Sequence, residues 1–105
     1  DRIIEVPLPD REGRREIFGI HLRSAEQIAS RKLFENLDIE SLLDKTDEYS
    51  GADIAEIIRR VLEAKVREED SGRSPGLVTT GDILQEISSY ERVKKNRQAI
   101  GFSRE

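Results

Sequence analysis

Four stretches of the chain place apolar residues at helical spacing, and each begins behind a residue suited to cap a helix. In the first, Ile17, Phe18, Ile20 and Leu22 alternate with charged residues downstream of Asp10, whose carboxylate suits an N-cap. This predicts a helix over 10–29, weakened by Gly13 and Gly19, and then a connector near 31–36. Asp38 caps a short second helix over 39–46, with Leu37 and Leu42 as a hydrophobic staple and Leu43 on the inner face. The third signal is the strongest. Ser50 and Asp53 have the spacing of an acidic capping box, and Tyr49 and Ile54 hold the staple positions. Ile54, Ile57, Ile58, Val61 and Leu62 then mark one face of a helix over 51–69, with Glu56–Arg60 and Glu63–Arg67 as expected pairs on the outer face. A breaker-rich loop over 71–76 precedes Thr79 and Asp82, which repeat the capping spacing, with Val78 and Ile83 as staple. Ile83, Leu84, Ile87 and Tyr90 form the inner face of a fourth helix over 79–92.

The two ends read differently. Ile3-Ile4-Glu5-Val6-Pro7-Leu8-Pro9 is β-branched at its start and stopped by two prolines, so residues 3–8 are expected to be extended, as an edge strand of a sheet lying elsewhere. After Arg92 the periodicity fades into Lys94, Lys95 and Arg97, with Ile100 and Phe102 isolated. The expected organisation is an extended remnant of a preceding domain over 1–9, a helical domain over 10–92 and a basic, partly mobile tail over 93–105. With short connections between four helices, the fold class is all-α: a small four-helix bundle with antiparallel neighbours and a short N-terminal extended segment.

Composition narrows this picture. Charged residues make up 38% of the chain, yet 9 Leu, 12 Ile, 5 Val and 3 Phe among 105 residues suffice for a small core. The length allows one domain and no second core. A net charge of −4 does not draw the chain onto nucleic acid or an anionic membrane. The absence of Cys removes disulfides, thiol nucleophiles and thiolate zinc sites, and a single His removes multi-histidine metal sites, so no metal site is expected. No apolar run approaches a membrane span, and no signal peptide opens the chain. A soluble, cytoplasmic domain is the expectation. The chain has no Met and begins at Asp1 directly before an apolar run. That pattern is expected of a piece of a longer protein.

Little in the residues themselves points to catalysis. There is no glycine-rich run followed by Lys and Ser or Thr, as a phosphate loop needs. The carboxylates fall on outer helix faces, and Ser50, Thr79, Thr80, Ser88 and Ser89 have no His nearby to serve as a base. No catalytic residue is assigned. The cluster Arg92, Lys94, Lys95 and Arg97 has no interleaved aromatic platform, so it reads as a solvated tail and no nucleic-acid partner is expected. Two features keep a second reading. His21 is a boundary residue of a helix, or an imidazole that hydrogen-bonds a ribose. Gly51-Ala52 is a helix start, or a small-residue opening through which a flat ring meets the backbone.

The order of the motifs favours the second reading. Asp1-Arg2-Ile3-Ile4-Glu5-Val6-Pro7-Leu8-Pro9-Asp10, then Gly13-Arg14, then Ile17-Phe18-Gly19-Ile20-His21, resembles the segment of AAA ATPases that leaves the nucleotide-binding α/β domain and enters the C-terminal helical lid. Tyr49-Ser50-Gly51-Ala52-Asp53-Ile54 is similar to that family's Ser-Gly-Ala-Asp-Leu element. Val78-Thr79-Thr80-Gly81-Asp82-Ile83 looks like the start of its last lid helix. The resemblance covers roughly residues 1–91, with Gly19 and Gly81 as departures. It implies that Ile17 and His21 lie near adenine and ribose, that Gly51 and Ala52 line the adenine from the lid side, and that Asp53 caps. It also implies that Arg2 is not an arginine finger. On this reading the phosphate and Mg sites lie outside the chain, which by itself does not hydrolyse ATP. The implied role is the lid of a remodelling or unfolding ATPase that uses ATP/ADP with Mg. Its implied partners are its own α/β domain, neighbouring subunits of a hexameric ring, and a protein substrate. The alternative is a free-standing helical interaction module without nucleotide.

Overall fold

In the computed structural model, which describes the backbone of residues 7–103 and the side chains of 7–95, helix α1 spans Arg11–Ala29, α2 Ile39–Asp44, α3 Gly51–Asp70 and α4 Thr80–Ser103. Among the described residues this is the expected all-α arrangement of four helices. Residues 7–10 have no regular structure. Most of the extended segment expected at 3–8 lies outside the described residues, as does Arg2.

Every helix starts at the capping residue that the spacing marks. The Asp10 carboxylate accepts from the Gly13 amide at 2.8 Å, and that of Asp38 from the Ser41 amide at 3.3 Å. Ser50 and Asp53 form a complete capping box: the Ser50 amide donates to Asp53 Oδ2 at 2.9 Å and the Asp53 amide to Ser50 Oγ at 3.1 Å. Thr79 and Asp82 do the same for α4, at 3.0 Å in each direction. The far ends of α1 and α3 close by a shared device. Ser30 (φ 58°) and Gly72 (φ 88°) turn left-handed, and the following amides of Arg31 and Arg73 reach back to the carbonyls of Glu26 and Glu68. This is the six-to-one bond of a Schellman closure.

Two helix ends depart from the sequence pattern. α2 stops at Asp44 rather than at 46, because the buried Thr46 hydroxyl donates to the Leu42 carbonyl at 2.9 Å and competes with a further helical turn. α4 passes residue 92 and continues to Ser103. Its distal part is rich in good helix formers such as Lys, Arg, Gln and Ala, which hold a helix without an apolar stripe.

α1 packs on α2 and α3, and α4 packs on α3 and α2; among the described residues the backbones of α1 and α4 do not approach each other. Phe18, Leu42, Leu43, Tyr49, Ile54, Ile57 and Ile83 are almost fully enclosed where these helices meet. Ile20 does not share in this core and is half exposed, since it lies two residues from Phe18 and so across the helix. One turn before Phe18 the inner position belongs to Arg14, only 4% exposed. Its guanidinium donates to the Leu43 carbonyl at 3.2 Å, at the end of α2. On the outer face of α3, Glu56 pairs with Arg60 as expected, at 2.8 Å, whereas Glu63 pairs with Arg59 rather than with Arg67. Arg59 sits one turn N-terminal to Glu63 and bridges it to Glu56.

A short non-helical link ties the two long loops together. The Val78 amide donates to the Leu33 carbonyl and the Glu35 amide to the Val78 carbonyl, each at 2.8 Å, forming an isolated parallel bridge between Phe34 and Val78. Glu26 supports it by accepting from the Leu33 and Phe34 amides at 2.8 and 3.1 Å. These bonds hold the Glu26 carboxyl below its ordinary value. No helix among the described residues is long and apolar enough to cross a membrane.

Candidate functional site

Of the four residues singled out by sequence, Ile17 and Gly51 meet where α1 packs on the first turn of α3. Ile17 and His21 are four residues apart on α1, so they share one face one turn apart. Both are partly buried. Gly51 and Ala52 follow the Ser50 cap as the first two residues of α3. A Cβ placed on Gly51 would stand 3.7 Å from Ile17 Cδ1, with no other neighbour inside 4 Å. The fold therefore brings Ile17 and Gly51 together across a separation of 34 residues, with His21 one turn further along α1. Ala52 is exposed and does not join that contact. It lines a polar depression of about 250 Å³ on the adjoining side of α3, with Asp53, Glu56, Arg60, Tyr90 and Lys94.

The backbone at this turn is partly uncommitted. The Asp53 amide is taken by Ser50 Oγ and the Ile54 amide by the Ser50 carbonyl, at 3.1 and 3.2 Å. Among the described residues the amides of Gly51 and Ala52 donate to no protein acceptor. Two donors without bulky side chains thus sit at the positive end of a 20-residue helix.

Asp53 does more than cap. While Oδ2 holds the Ser50 amide, Oδ1 accepts from the Tyr90 hydroxyl of α4, and Lys94 Nζ stands 3.8 Å from Oδ2. Burial acts to raise the Asp53 pKa, but the bonds from Tyr90 and Ser50 together with the Lys94 charge outweigh it, and the carboxyl ends below its ordinary value. Tyr90 is pushed up to about 12, first by burial and then by its bond to Asp53. A matching bond runs the other way. Tyr49, 1% exposed, donates to Glu91 Oε2 at 2.5 Å, and burial followed by this bond raises its pKa as well. The two rings meet at 5.8 Å between centroids and 53° between planes, with Lys94 over both and Arg60 over Tyr90. Glu56 lies beside them, held at about 2 by hydrogen bonds from Arg59 and Arg60. The sequence pattern places Tyr49 as a staple and Tyr90 on the inner face, and misses that each phenol needs a polar partner once buried.

A larger apolar groove of about 570 Å³ lies between the end of α1, the C-terminal half of α3 and the 75–78 loop, lined by Ile28, Leu33, Leu62 and Val66. It starts roughly 16 Å along α3 from Gly51, at about 1.5 Å per residue, and is no part of this site.

No family model matches the chain. Individual relatives do, along nearly its full length, and the chain is consistent with a C-terminal stretch of an AAA ATPase. Over 97 residues it is 38% identical to the proteasome-activating nucleotidase of Saccharolobus solfataricus, covering 92% of this chain and 22% of that protein. The proteins of the same name from Methanopyrus kandleri and Aeropyrum pernix are 37% and 35% identical, over 99% and 90% of this chain and 21% and 20% of their own lengths. The chain thus spans about a fifth of the length of the curated relatives it matches.

Proposed function

We propose that the chain is the lid of an AAA ATPase, closing over an adenine nucleotide held mainly by a separate α/β domain. The observation that carries this reading is the Ile17–Gly51 contact. It sets an apolar side chain against a residue without a side chain, in the same helical turn as two unengaged amides, a surface suited to the face and edge of a purine. In this reading Ile17 packs against the adenine, His21 donates to or accepts from a ribose hydroxyl, and Gly51 and Ala52 admit the ring to the backbone. Asp53 keeps the turn closed. Magnesium and the phosphates meet residues of the α/β domain, where the bound nucleotide supplies the energy of hydrolysis.

Closing α1 and α3 over the base couples the state of the nucleotide to a rigid-body rotation of the four helices. In a ring, such a rotation moves the neighbouring subunit and through it a protein substrate. The kinship with proteasome-activating nucleotidases supports a remodelling or unfolding ATPase, cytoplasmic and hexameric, as the setting. By itself the chain is proposed to be without ATPase activity and without tight nucleotide binding, since most of the nucleotide's charge is met elsewhere.

The test is Ala52→Phe in the complete ATPase. An exposed position tolerates the ring in the folded lid, so melting in the absence of nucleotide stays as in the wild type. ADP binding measured by calorimetry falls more than about tenfold, because the side chain takes the place proposed for the ring. Wild-type affinity in a folded Ala52→Phe protein would overturn the reading, and so would micromolar ATP binding by the 105-residue chain alone.

A further inference from the structure

We propose that Tyr49 and Tyr90 are positioning residues that lock the nucleotide-facing turn of α3 onto α4; this rests on the lid reading above. Residues 49–53 contain the whole turn, with Gly51 and Ala52 at its middle. One end is fixed by Tyr49, immediately before the cap, whose hydroxyl donates to Glu91 of α4 at 2.5 Å. The other end is fixed by Asp53, which accepts from the hydroxyl of Tyr90, also on α4. The two bonds cross, one phenol coming from each side. Both land on adjacent α4 residues, 90 and 91. The turn is therefore held at both ends by a single turn of α4, whose backbone, among the described residues, stays clear of that of α1.

The capping box alone does not supply this. Ser50 and Asp53 close the turn on itself through Asp53 Oδ2 and Ser50 Oγ, which fixes the start of the helix but not where that start lies relative to α4. The second oxygen, Oδ1, carries the orientation. Beyond Lys94, α4 continues to Ser103, roughly 13 Å further at about 1.5 Å per residue. A displacement of that distal end is delivered through residues 90 and 91 to the amides of Gly51 and Ala52. Binding linkage makes the coupling reciprocal: nucleotide that settles against the turn biases the position of α4, and whatever holds the end of α4 biases nucleotide affinity.

Removing only the hydroxyls tests this, because Phe keeps the ring contact and the Lys94 and Arg60 cations over it. In the complete ATPase, Tyr49→Phe and Tyr90→Phe are each expected to weaken ADP binding by roughly 2- to 10-fold, as the loss of one positioning hydrogen bond implies. Glu91→Ala should match Tyr49→Phe. Glu91→Gln, which keeps an oxygen acceptor for the phenol, should bind as the wild type does. Val61→Ala, a core truncation two turns along α3, provides the structural control: it melts lower but binds ADP normally. If the tyrosine variants behave as Val61→Ala does, melting lower with wild-type affinity while Ala52→Phe has lost binding, the positioning role is overturned and the lid reading stands. If Ala52→Phe also binds as the wild type does, both fall together.

Discussion

Ile17 Cδ1 stands 3.7 Å from the point where Gly51 would carry a Cβ, so a methyl group fits there at ordinary van der Waals distance. Gly51 is in the first turn of a helix and has no left-handed φ to lose. Gly51→Ala is therefore expected to leave the fold intact and to stabilise it by about 0.4 to 1 kcal/mol through the unfolded chain. The same methyl occupies space beside Ile17 that the proposed ring contact uses. Urea unfolding should show equal or greater stability, and calorimetry on the complete ATPase weaker ADP binding. A variant that is more stable and binds ADP equally well would move the base away from this turn.

His21 separates the two functions in the opposite sense. It is partly buried on α1, one turn beyond Ile17. His21→Ala removes a single hydrogen bond to ribose, worth about 0.5 to 1.5 kcal/mol, so nucleotide affinity should fall roughly 2- to 13-fold in the complete ATPase. A comparison of ATP with 2′-deoxy-ATP and 3′-deoxy-ATP checks the assignment. One of the two sugars should bind the wild type and His21→Ala equally.

Helix starts were legible in the sequence because each depends on residues three apart: Asp10, Asp38, Ser50 with Asp53, and Thr79 with Asp82 all cap as their spacing implies. Features that depend on distant partners were not. Arg14 occupies an inner position because the carbonyl of Leu43, 29 residues away, receives its guanidinium, and a charged residue gives no apolar signal of burial. The Phe34–Val78 bridge is too short to leave an alternating pattern. The length of α4 was hidden because the pattern follows an apolar stripe, which fades after residue 92 into a stretch rich in good helix formers. At the candidate site, the shared face of Ile17 and His21 follows from their spacing. The meeting of Ile17 with Gly51 does not, and only resemblance placed those two together. The crossed bonds of Tyr49 and Tyr90 left a weaker trace: two aromatic residues with polar ends at core positions, and acids at 53 and 91.

Gly72 closes α3 at φ 88°, and a Cβ there would meet nothing within 4 Å. Gly72→Ala thus isolates the backbone cost of a left-handed residue from any packing effect. The expected loss is about 1 to 2 kcal/mol. For a domain of this size each 1 kcal/mol shifts the melting temperature by about 4 to 8 °C. Ser30 takes the matching position at the end of α1 at φ 58°, so Ser30→Gly should shift melting the other way, by less, because Gly also loosens the unfolded chain. Thermal melts of the two single variants and their combination check this. A Gly72→Ala protein that melts like the wild type would mean that the end of α3 rearranges without cost.

The crossed tyrosines also make a prediction at alkaline pH. Tyr90 is raised from 10.0 to about 12, by burial first and then by its bond to the Asp53 carboxylate, and Tyr49 is raised by burial and its bond to Glu91. A group whose pKa is higher in the folded than in the unfolded state holds its proton more tightly when folded. Its contribution to stability is complete below the unfolded value near 10 and is lost as the pH rises towards the folded one. Because the chain has two Tyr and no Trp, phenolate absorbance reports these residues alone. At pH 10, where free tyrosine is half ionised, both rings should remain mostly protonated while the helical circular dichroism stays intact. Phenolate should then appear together with loss of helix. In Tyr49→Phe the remaining titration belongs to Tyr90, and Asp53→Asn, which removes the acceptor's charge, should bring it back towards 10. Two phenols titrating near 10 in a fully helical chain would show that neither hydroxyl is held by its carboxylate.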